Sequence, residues 1–254
     1  FDVGRTNKKL FLIDENYNIV YERSARFVET KDEDGEVCEN LESLRSSVFD
    51  SLNQVMQLKE YDIKAINFSS YGASFVYLDE TGAPLTPLYN YLKEYPESLK
   101  KEFYAKYGGE AKISLETASP ILGSLNSGMQ LYRLKKEKPE VFAKIKYALH
   151  LPQYLSYLIT DKAVADITSI GCHTQLWDFG KNEYHQWVAE EGLEEKFGTF
   201  TPADSVIETQ FDNREFKVGV GLHDSSAALI PYLANFSVPF VLTFASLRKC
   251  AKSK

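Results

Sequence analysis

Asp224 is the residue of this sequence whose position first suggests chemistry. It stands in GLHDSSAAL, residues 221–229, directly after a short apolar run that closes in glycines and directly before an apolar helix start. At a junction from strand to helix, free backbone N–H groups and the helix dipole stabilise an anion, which is either a carboxylate or a phosphate. The same position also suits a helix N-cap, a role that aspartate fills well. Both readings stay open on these residues alone.

The opening turn is a second place where chemistry is plausible. DVGRTNKK, residues 2–9, puts a carboxylate at the end of one strand and a glycine-bearing polar turn before the next. Gly4 lets the backbone approach a phosphate, the Thr6 hydroxyl can donate to it, and Asp2 can hold magnesium through water. A polar hairpin fits equally well, because turns rich in Gly, Thr and Asn are common. The stretch is not a Walker loop.

The histidines and cysteines predict no metal cage. Histidines 150, 173, 185 and 223 are scattered, and none forms an HExxH motif or joins a CxxC pair. Cys172 and His173 are neighbours, but adjacent side chains diverge in regular structure, which argues against a shared metal site. Cys38, Cys172 and Cys250 are odd in number and lack paired spacing. We therefore expect reduced thiols in a cytoplasmic protein.

Length and composition limit the classes of protein to which this chain can belong. The 254 residues, 44% hydrophobic and 26% charged, suffice for one large α/β domain or two modest ones. A formal charge of -7 argues against a nucleic-acid partner, since phosphate-backbone binding needs a basic face. No stretch approaches the roughly 20 apolar residues of a membrane span, so no membrane partner is expected.

The periodicity of apolar residues predicts the elements that position these candidates. Strands are expected at 10–13, 19–23, 26–30, 63–68, 75–78 and 218–222, and a helix at 40–57 with Asn40 as its cap. Further helices are expected at 96–107, 124–136, 139–146, 152–159, 184–190 and 225–233, with loop-like chain over 198–213. The pattern favours an α/β fold with a helical insertion and an active edge at the strand ends.

Several segments together resemble the FGGY carbohydrate kinases. They are DVGRTN at 2–7, SYGASFVYLD at 70–79, PEVF at 139–142, LPQYLSYLIT at 151–160, DITS at 166–169, TQL at 174–176 and HDSSAA at 223–228. Their order and spacing also agree with the family. The likeness covers residues 1 to 241 and is nearest to the rhamnulokinase and fuculokinase branch.

The resemblance implies an actin-like (ribonuclease H-like) ATPase-type lobe with a helical insertion. Residues 1–237 would form the N-terminal sugar-binding lobe, and 238–254 the start or remnant of a largely absent C-terminal ATP-binding lobe. The implied activity is transfer of the γ-phosphoryl group of ATP, with Mg²⁺, to a ketose or deoxyketose such as rhamnulose, fuculose or xylulose. A small-molecule sugar is the expected partner, and a homodimer is compatible with this reading.

Two other functions stay open beside the kinase. One is a non-catalytic sugar-binding or regulatory remnant of such a kinase. The other is an actin-like ATPase of the chaperone or filament kind, which shares the opening turn but has no need of the pair His223 and Asp224.

The resemblance also implies a role for each site residue. Asp224 would be the catalytic base; His223, Tyr71, Gly72 and Ala73 would bind the sugar; Gly4, Thr6, Asn7 and Lys9 would face the phosphates; and Asp2 would help to hold the metal. This sequence departs from the family at Arg5, where a small residue is usual, and from the related branch at Ser74 and Gln153, where acidic residues are common. Those departures leave the sugar open. Trp177 and Tyr71 could stack on a sugar face or belong to the core.

Overall fold

The computed structural model describes residues 1–5, 7–25 and 28–238. The strands are Asp2–Val3 (β1), Lys8–Ile13 (β2), Ile19–Ala25 (β3), Glu29–Lys31 (β4), Val37–Glu39 (β5), Ala65–Ile66 (β6), Ser69–Ser70 (β7), Phe75–Leu78 (β8), Tyr147–His150 (β9), Val164–Ala165 (β10), Trp177–Asp178 (β11), Glu183–Tyr184 (β12), Thr199–Phe200 (β13), Val206–Phe211 (β14), Arg214–Gly219 (β15) and Leu222–His223 (β16). The α-helices are Leu41–Met56 (α1), Glu97–Tyr107 (α2), Glu110–Glu116 (α3), Ser127–Glu137 (α4), Pro139–Phe142 (α5), Leu151–Thr160 (α6), Ile167–Ile170 (α7), Gln186–Glu190 (α8), Asp224–Ala227 (α9) and Ile230–Asn235 (α10). Short 3₁₀ turns lie at Gly123–Leu125 and Glu194–Lys196.

The sheet that matters for function has the strand order β16-β7-β1-β2-β3. Strands β16, β7 and β1 are parallel, whereas β2 and β3 extend the sheet as an antiparallel hairpin. Val3 and His223 both pair with Ser70 of the central β7. The three parallel strands therefore end level with one another, and the segments that follow them leave the sheet at one edge.

Helix α1 covers one face of this sheet, as the sequence predicted. Asn40 caps it, because the Asn40 Oδ1 accepts a hydrogen bond from the Ser43 N–H at 2.9 Å. Its apolar stripe, which includes Leu44, Val48 and Leu52, is buried against the sheet. The strand ends are thus held by a core to which Tyr71 also belongs.

A second core is rich in aromatic rings. It lies in the helical insertion, which extends from α2 to the 3₁₀ turn at Glu194–Lys196. Phe103 packs edge-on against Tyr132 and Trp187, with ring centroids 5.0 and 5.1 Å away. Trp177 is 6% exposed and stacks on Phe200 at 4.7 Å, so its ring belongs to this core rather than to a sugar platform. None of the helices in the described ranges is long and apolar enough to cross a membrane.

Three sequence predictions of local structure were wrong. Part of the predicted loop at 198–213 is a hairpin, β14 with β15, whose turn places Asp212 and Asn213 at φ of 49° and 60°. Strand β9 was missed because its short apolar run adjoins helix α6. The predicted helix at 225–233 is two short helices, α9 and α10, with Pro231 in the first turn of the second. The strand expected at 26–30 is β4, at Glu29–Lys31, and residues 26–27 lie outside the described chain.

Candidate functional site

The segments singled out by the sequence meet at one edge of the central sheet. Gly4 and Arg5 follow β1, Tyr71 to Ala73 follow β7, and Asp224 follows β16. Because these strands are parallel and neighbouring, their carboxyl ends bring together residues that are far apart in sequence. The prediction of an active edge at the strand ends therefore agrees with the topology.

Asp224 is the first residue of α9 and not its N-cap. The cap is His223, whose Nδ1 accepts a hydrogen bond from the Ser225 N–H at 3.1 Å. The Asp224 Oδ1 accepts from the same N–H at 2.7 Å. Helix α9 has 4 residues, so a helix dipole contributes little here, contrary to the sequence argument. The Asp224 side chain is 38% exposed, and in the described chain its hydrogen bonds all reach Oδ1, which leaves the other oxygen open.

His223 is held as a neutral imidazole. Its side chain is 5% exposed, and burial lowers its pKa to about 4, against the opposing effect of the Asp224 charge. Gly72 lies directly against this ring, and a Cβ at that position would collide with the His223 Cδ2. The sequence therefore needs glycine at 72 so that the chain leaving β7 can approach the chain leaving β16.

A buried network fixes the strand that carries His223 and Asp224. The His223 backbone N–H donates to the Thr168 Oγ1 at 3.0 Å, and the Thr168 N–H donates to the Asp166 Oδ2 at 3.0 Å. The Gln153 Nε2 donates to the Asp166 Oδ1 at 2.8 Å and to the Gly221 carbonyl at 2.7 Å. Burial raises the pKa of Asp166, although its hydrogen bonds act in the opposite direction. Helices α6 and α7 thus position the candidate base through side chains that the sequence did not single out for this purpose.

Gln153 consequently has a different role from the one the sequence suggested. It was expected in the sugar pocket, but it is 1% exposed and binds Asp166 and Gly221. A glutamate there would set a second carboxylate beside Asp166 and lose the donor to Gly221. The Nε2 of Gln153 therefore supports the fold, while its Oε1 has no hydrogen-bond partner among the described residues, and its place in the sugar pocket stays a prediction.

Asp2 lies close enough to Asp224 for the two charges to interact. Burial raises the pKa of Asp2, the Asp224 charge raises it further, and Lys9 opposes the rise. A divalent cation that prefers oxygen ligands, such as Mg²⁺, neutralises two interacting carboxylates well. The donor set at this edge fits a magnesium ion.

The phosphate-facing residues are only partly arranged for that role. Gly4 forms a tight turn, since a Cβ there would stand 3.2 Å from the Asn7 carbonyl oxygen, and Asn7 is exposed. The Lys9 Nζ lies 2.7 Å from the Glu22 Oε1 and so faces β3. Thr6 lies outside the described residues. The phosphate roles of these four residues remain predictions.

A shallow cleft opens beside the chain that leaves β7, with room for about one water molecule in this structure. It is lined by Arg5, Glu39, Tyr71, Ser74 and Tyr91, among others. The Arg5 guanidinium lies over the Tyr91 ring, 5.2 Å from its centroid. Tyr71, 8% exposed, meets Tyr91 at 5.7 Å between ring centroids. A sugar can enter this cleft only if the side chains that line it move.

Ala73 and Ser74 contribute to this region through the backbone and through internal hydrogen bonds. The Ala73 carbonyl accepts a hydrogen bond from the Gln130 Nε2 at 2.7 Å, and the Ser74 Oγ donates to the Tyr89 carbonyl at 2.8 Å. Both residues are buried. Their polar groups are therefore already satisfied within the chain.

Sequence reasoning was wrong about the histidine–cysteine arrangement. Cys172, His173 and His223 each place one ligand atom within 4.8 Å of the others. His173 has a φ of 45°, a left-handed conformation that removes the divergence expected of adjacent side chains. The only available signal was the Cys-His dipeptide, because a positive φ at a histidine cannot be read from sequence.

Comparison with known proteins decides the family. Residues 1–219 match the model of the FGGY family of carbohydrate kinases, N-terminal domain. The chain belongs to this family. The resemblance to this family drawn from the sequence motifs is confirmed.

Relatives and solved structures agree with the family. A rhamnulokinase of Halalkalibacterium halodurans is 26% identical over 70% of this chain and 39% of its own length. One from Mannheimia succiniciproducens is 23% identical over 90% of this chain and 48% of its own. A carbohydrate kinase of Novosphingobium aromaticivorans (TM-score 0.79, 22% identical) and Plasmodium falciparum glycerol kinase with ADP (TM-score 0.75, 18% identical) each cover 90% of this chain and about half of their own. They confirm the actin-like (ribonuclease H-like) α/β fold. The chain spans less than half the length of these rhamnulokinases.

Proposed function

We propose that this chain is the sugar-binding lobe of an ATP-dependent carbohydrate kinase whose general base is Asp224. The observation that carries the proposal is the meeting of three segments at the carboxyl ends of β1, β7 and β16, with one oxygen of Asp224 left open. A ketose or deoxyketose such as rhamnulose, fuculose or xylulose is the substrate class, in keeping with the rhamnulokinase relatives. The boundary at residue 237 between this lobe and an ATP-binding lobe is part of the proposal.

The chemistry assigns one task to each residue at the edge. The sugar hydroxyl is a poor nucleophile until its proton is removed, and Asp224 takes that proton as the oxygen bonds to the γ-phosphorus and ADP leaves. His223, neutral and fixed by Thr168, orients the sugar beside the base. The cleft lined by Tyr71 and Arg5 receives the rest of the sugar.

The carboxylate of Asp2 would hold magnesium, directly or through water. Mg²⁺ supplies charge neutralisation on the phosphates when it is bound. Asp2 is not among the residues that line the cleft of Tyr71 and Tyr91.

A ketose panel tests the proposal in two steps. Calorimetry with the chain measures sugar binding, and a coupled assay with ATP and Mg²⁺ measures transfer. We expect one ketose to bind and His223→Ala to weaken that binding by about tenfold or more, as for a lost hydrogen bond to a sugar. Binding without transfer under conditions where ATP also binds would favour the non-catalytic remnant. ATP hydrolysis that no sugar stimulates would favour the filament or chaperone type of ATPase.

A further inference from the structure

A thiol and two imidazoles converge beside the candidate base. Cys172, His173 and His223 place one ligand atom each within 4.8 Å of the others, and in the described part of the chain this is the only group of three or more such side chains. The rings of His173 and His223 are 5.8 Å apart and nearly perpendicular. Asp224 acts electrostatically on both Cys172 and His173, so it borders the same space.

We propose that Cys172, His173 and His223 bind a thiophilic divalent cation, with Zn²⁺ as the representative, at the sugar side of the strand edge. Thiolate and imidazole are the ligands that zinc prefers, whereas magnesium prefers oxygen. Ligand atoms around a tetrahedral zinc ion stand about 3.5 Å apart, so closing the present spacing requires side-chain shifts of roughly 1 Å. The Cys172 thiol releases its proton to solvent as the metal–sulfur bond forms.

His223 can become a supported metal ligand by a change of tautomer. Its Nδ1 accepts a hydrogen bond from the Ser225 N–H in this structure, and a proton moved to Nδ1 would replace that bond and be donated to the Asp224 Oδ1, 3.2 Å away. The Nε2 is then a free ligand atom, which is the usual relation between a zinc-binding histidine and its supporting carboxylate. His173 completes the set, and its left-handed backbone removes the divergence expected between its side chain and that of Cys172.

A cation bound at this site prevents Asp224 from acting as the base toward the sugar hydroxyl. The carboxylate that supports the His223 ring cannot at the same time accept a proton from a hydroxyl, and the cation fills space beside the sugar. Zinc is therefore a reversible inhibitor that competes with sugar and not with ATP. This consequence rests on the proposed kinase function, but metal binding itself does not.

Cobalt substitution tests the metal site without any assay of activity. Untagged, metal-free protein is titrated with Co²⁺ and then with Zn²⁺. We expect the d–d bands of a tetrahedral site, a thiolate-to-cobalt charge-transfer band, and loss of both when zinc displaces cobalt. Absence of these bands in the wild-type protein would overturn the proposal.

Variants identify the ligands. Cys172→Ser should abolish the charge-transfer band and weaken zinc binding by at least about tenfold. His173→Asn, which tolerates the left-handed backbone, should weaken zinc binding to a similar degree. Cys38→Ser changes the other described cysteine, which is buried on β5, and Cys250→Ser changes the remaining one; both should retain the band. A band that survives Cys172→Ser would refute the assignment, and unchanged circular dichroism and melting would exclude misfolding as the cause of its loss.

Sugar binding then tests the consequence separately. Saturating Zn²⁺ should weaken ketose binding to the wild-type chain by about tenfold or more and leave it unchanged in Cys172→Ser. Cobalt bands without any ketose binding would show that the metal site stands while the proposed kinase function fails. Ketose binding that zinc does not alter would overturn the inhibitory role.

Discussion

The carboxylates at the strand edge and those in the helical insertion differ in whether the chain supplies cations that bind them. In the insertion, Glu191 is buried and bonded to the ammonium groups of Lys106 and Lys135, each 2.6 Å away. Its pKa is lowered to about 2, because these hydrogen bonds outweigh the cost of burial. At the strand edge, the charges of Asp2 and Asp224 act on each other, and among the described residues neither carboxylate is hydrogen-bonded to a lysine or an arginine. A carboxylate whose partners are supplied by the chain stabilises the fold, whereas one left without them is available to a ligand.

The largest effect is expected from a substitution of Asp224, which should lower the rate of phosphoryl transfer. Asp224→Asn should keep the fold and the sugar affinity but lower the rate of transfer about 10²- to 10⁴-fold, because the amide cannot accept the proton. Asp212→Asn, the same change in the exposed turn between β14 and β15, is the matched control and should leave the rate unaltered. Retention of more than about a tenth of the wild-type rate in Asp224→Asn would refute the role of base.

Asp2 should give the next largest effect and a different kinetic signature. Asp2→Ala is expected to lower turnover about 10- to 100-fold and to raise the magnesium concentration needed, with sugar binding nearly intact. Glu15→Ala, in the exposed turn between β2 and β3, serves as the control. A fall in sugar affinity with unchanged magnesium dependence would place Asp2 in the sugar site or the core.

Glu191 should change stability and leave the chemistry alone. Since its folded pKa is below its unfolded value of 4.5, its contribution is present above that value and is lost as the pH falls toward about 2. Lys106 is 48% exposed, so solvent screening reduces the effect, and Glu191→Gln should cost about 1–3 kcal/mol at neutral pH. Urea unfolding of both proteins from pH 7 to pH 2 checks this, and a difference that does not shrink toward pH 2 would contradict it.

The smallest effect concerns the support of the strand edge. Thr168→Val removes the Oγ1 that accepts from the His223 N–H and should cost about 1 kcal/mol, with a modest rise in KM for the sugar. Thr168→Ser keeps that oxygen and should restore the KM. If both variants behave like the wild type in KM, then Thr168 does not position His223.

Most of the fold, but less of the candidate site, could be predicted from the sequence. Apolar periodicity predicted α1 and its Asn40 cap, and the motifs predicted the actin-like fold. Strand β14 escaped because none of its residues is buried, so its sequence resembles that of a polar loop. The support of β16 by Gln153 and the approach of Cys172 to His223 are contacts between distant segments. Such contacts depend on tertiary packing and on one left-handed φ, neither of which leaves a local pattern.

The attachment of β16 by side chains from α6 and α7 has a consequence for protein engineering. Gln153, Asp166 and Thr168 hold the strand that carries the base through hydrogen bonds, while Tyr71, Tyr91 and Arg5 line the cleft. The two sets share no residue, so a combinatorial library at the cleft can vary the shape offered to the sugar without loosening the group that reacts. Changes of substrate preference should therefore be accessible in few steps from this scaffold, provided that the internal set is left untouched.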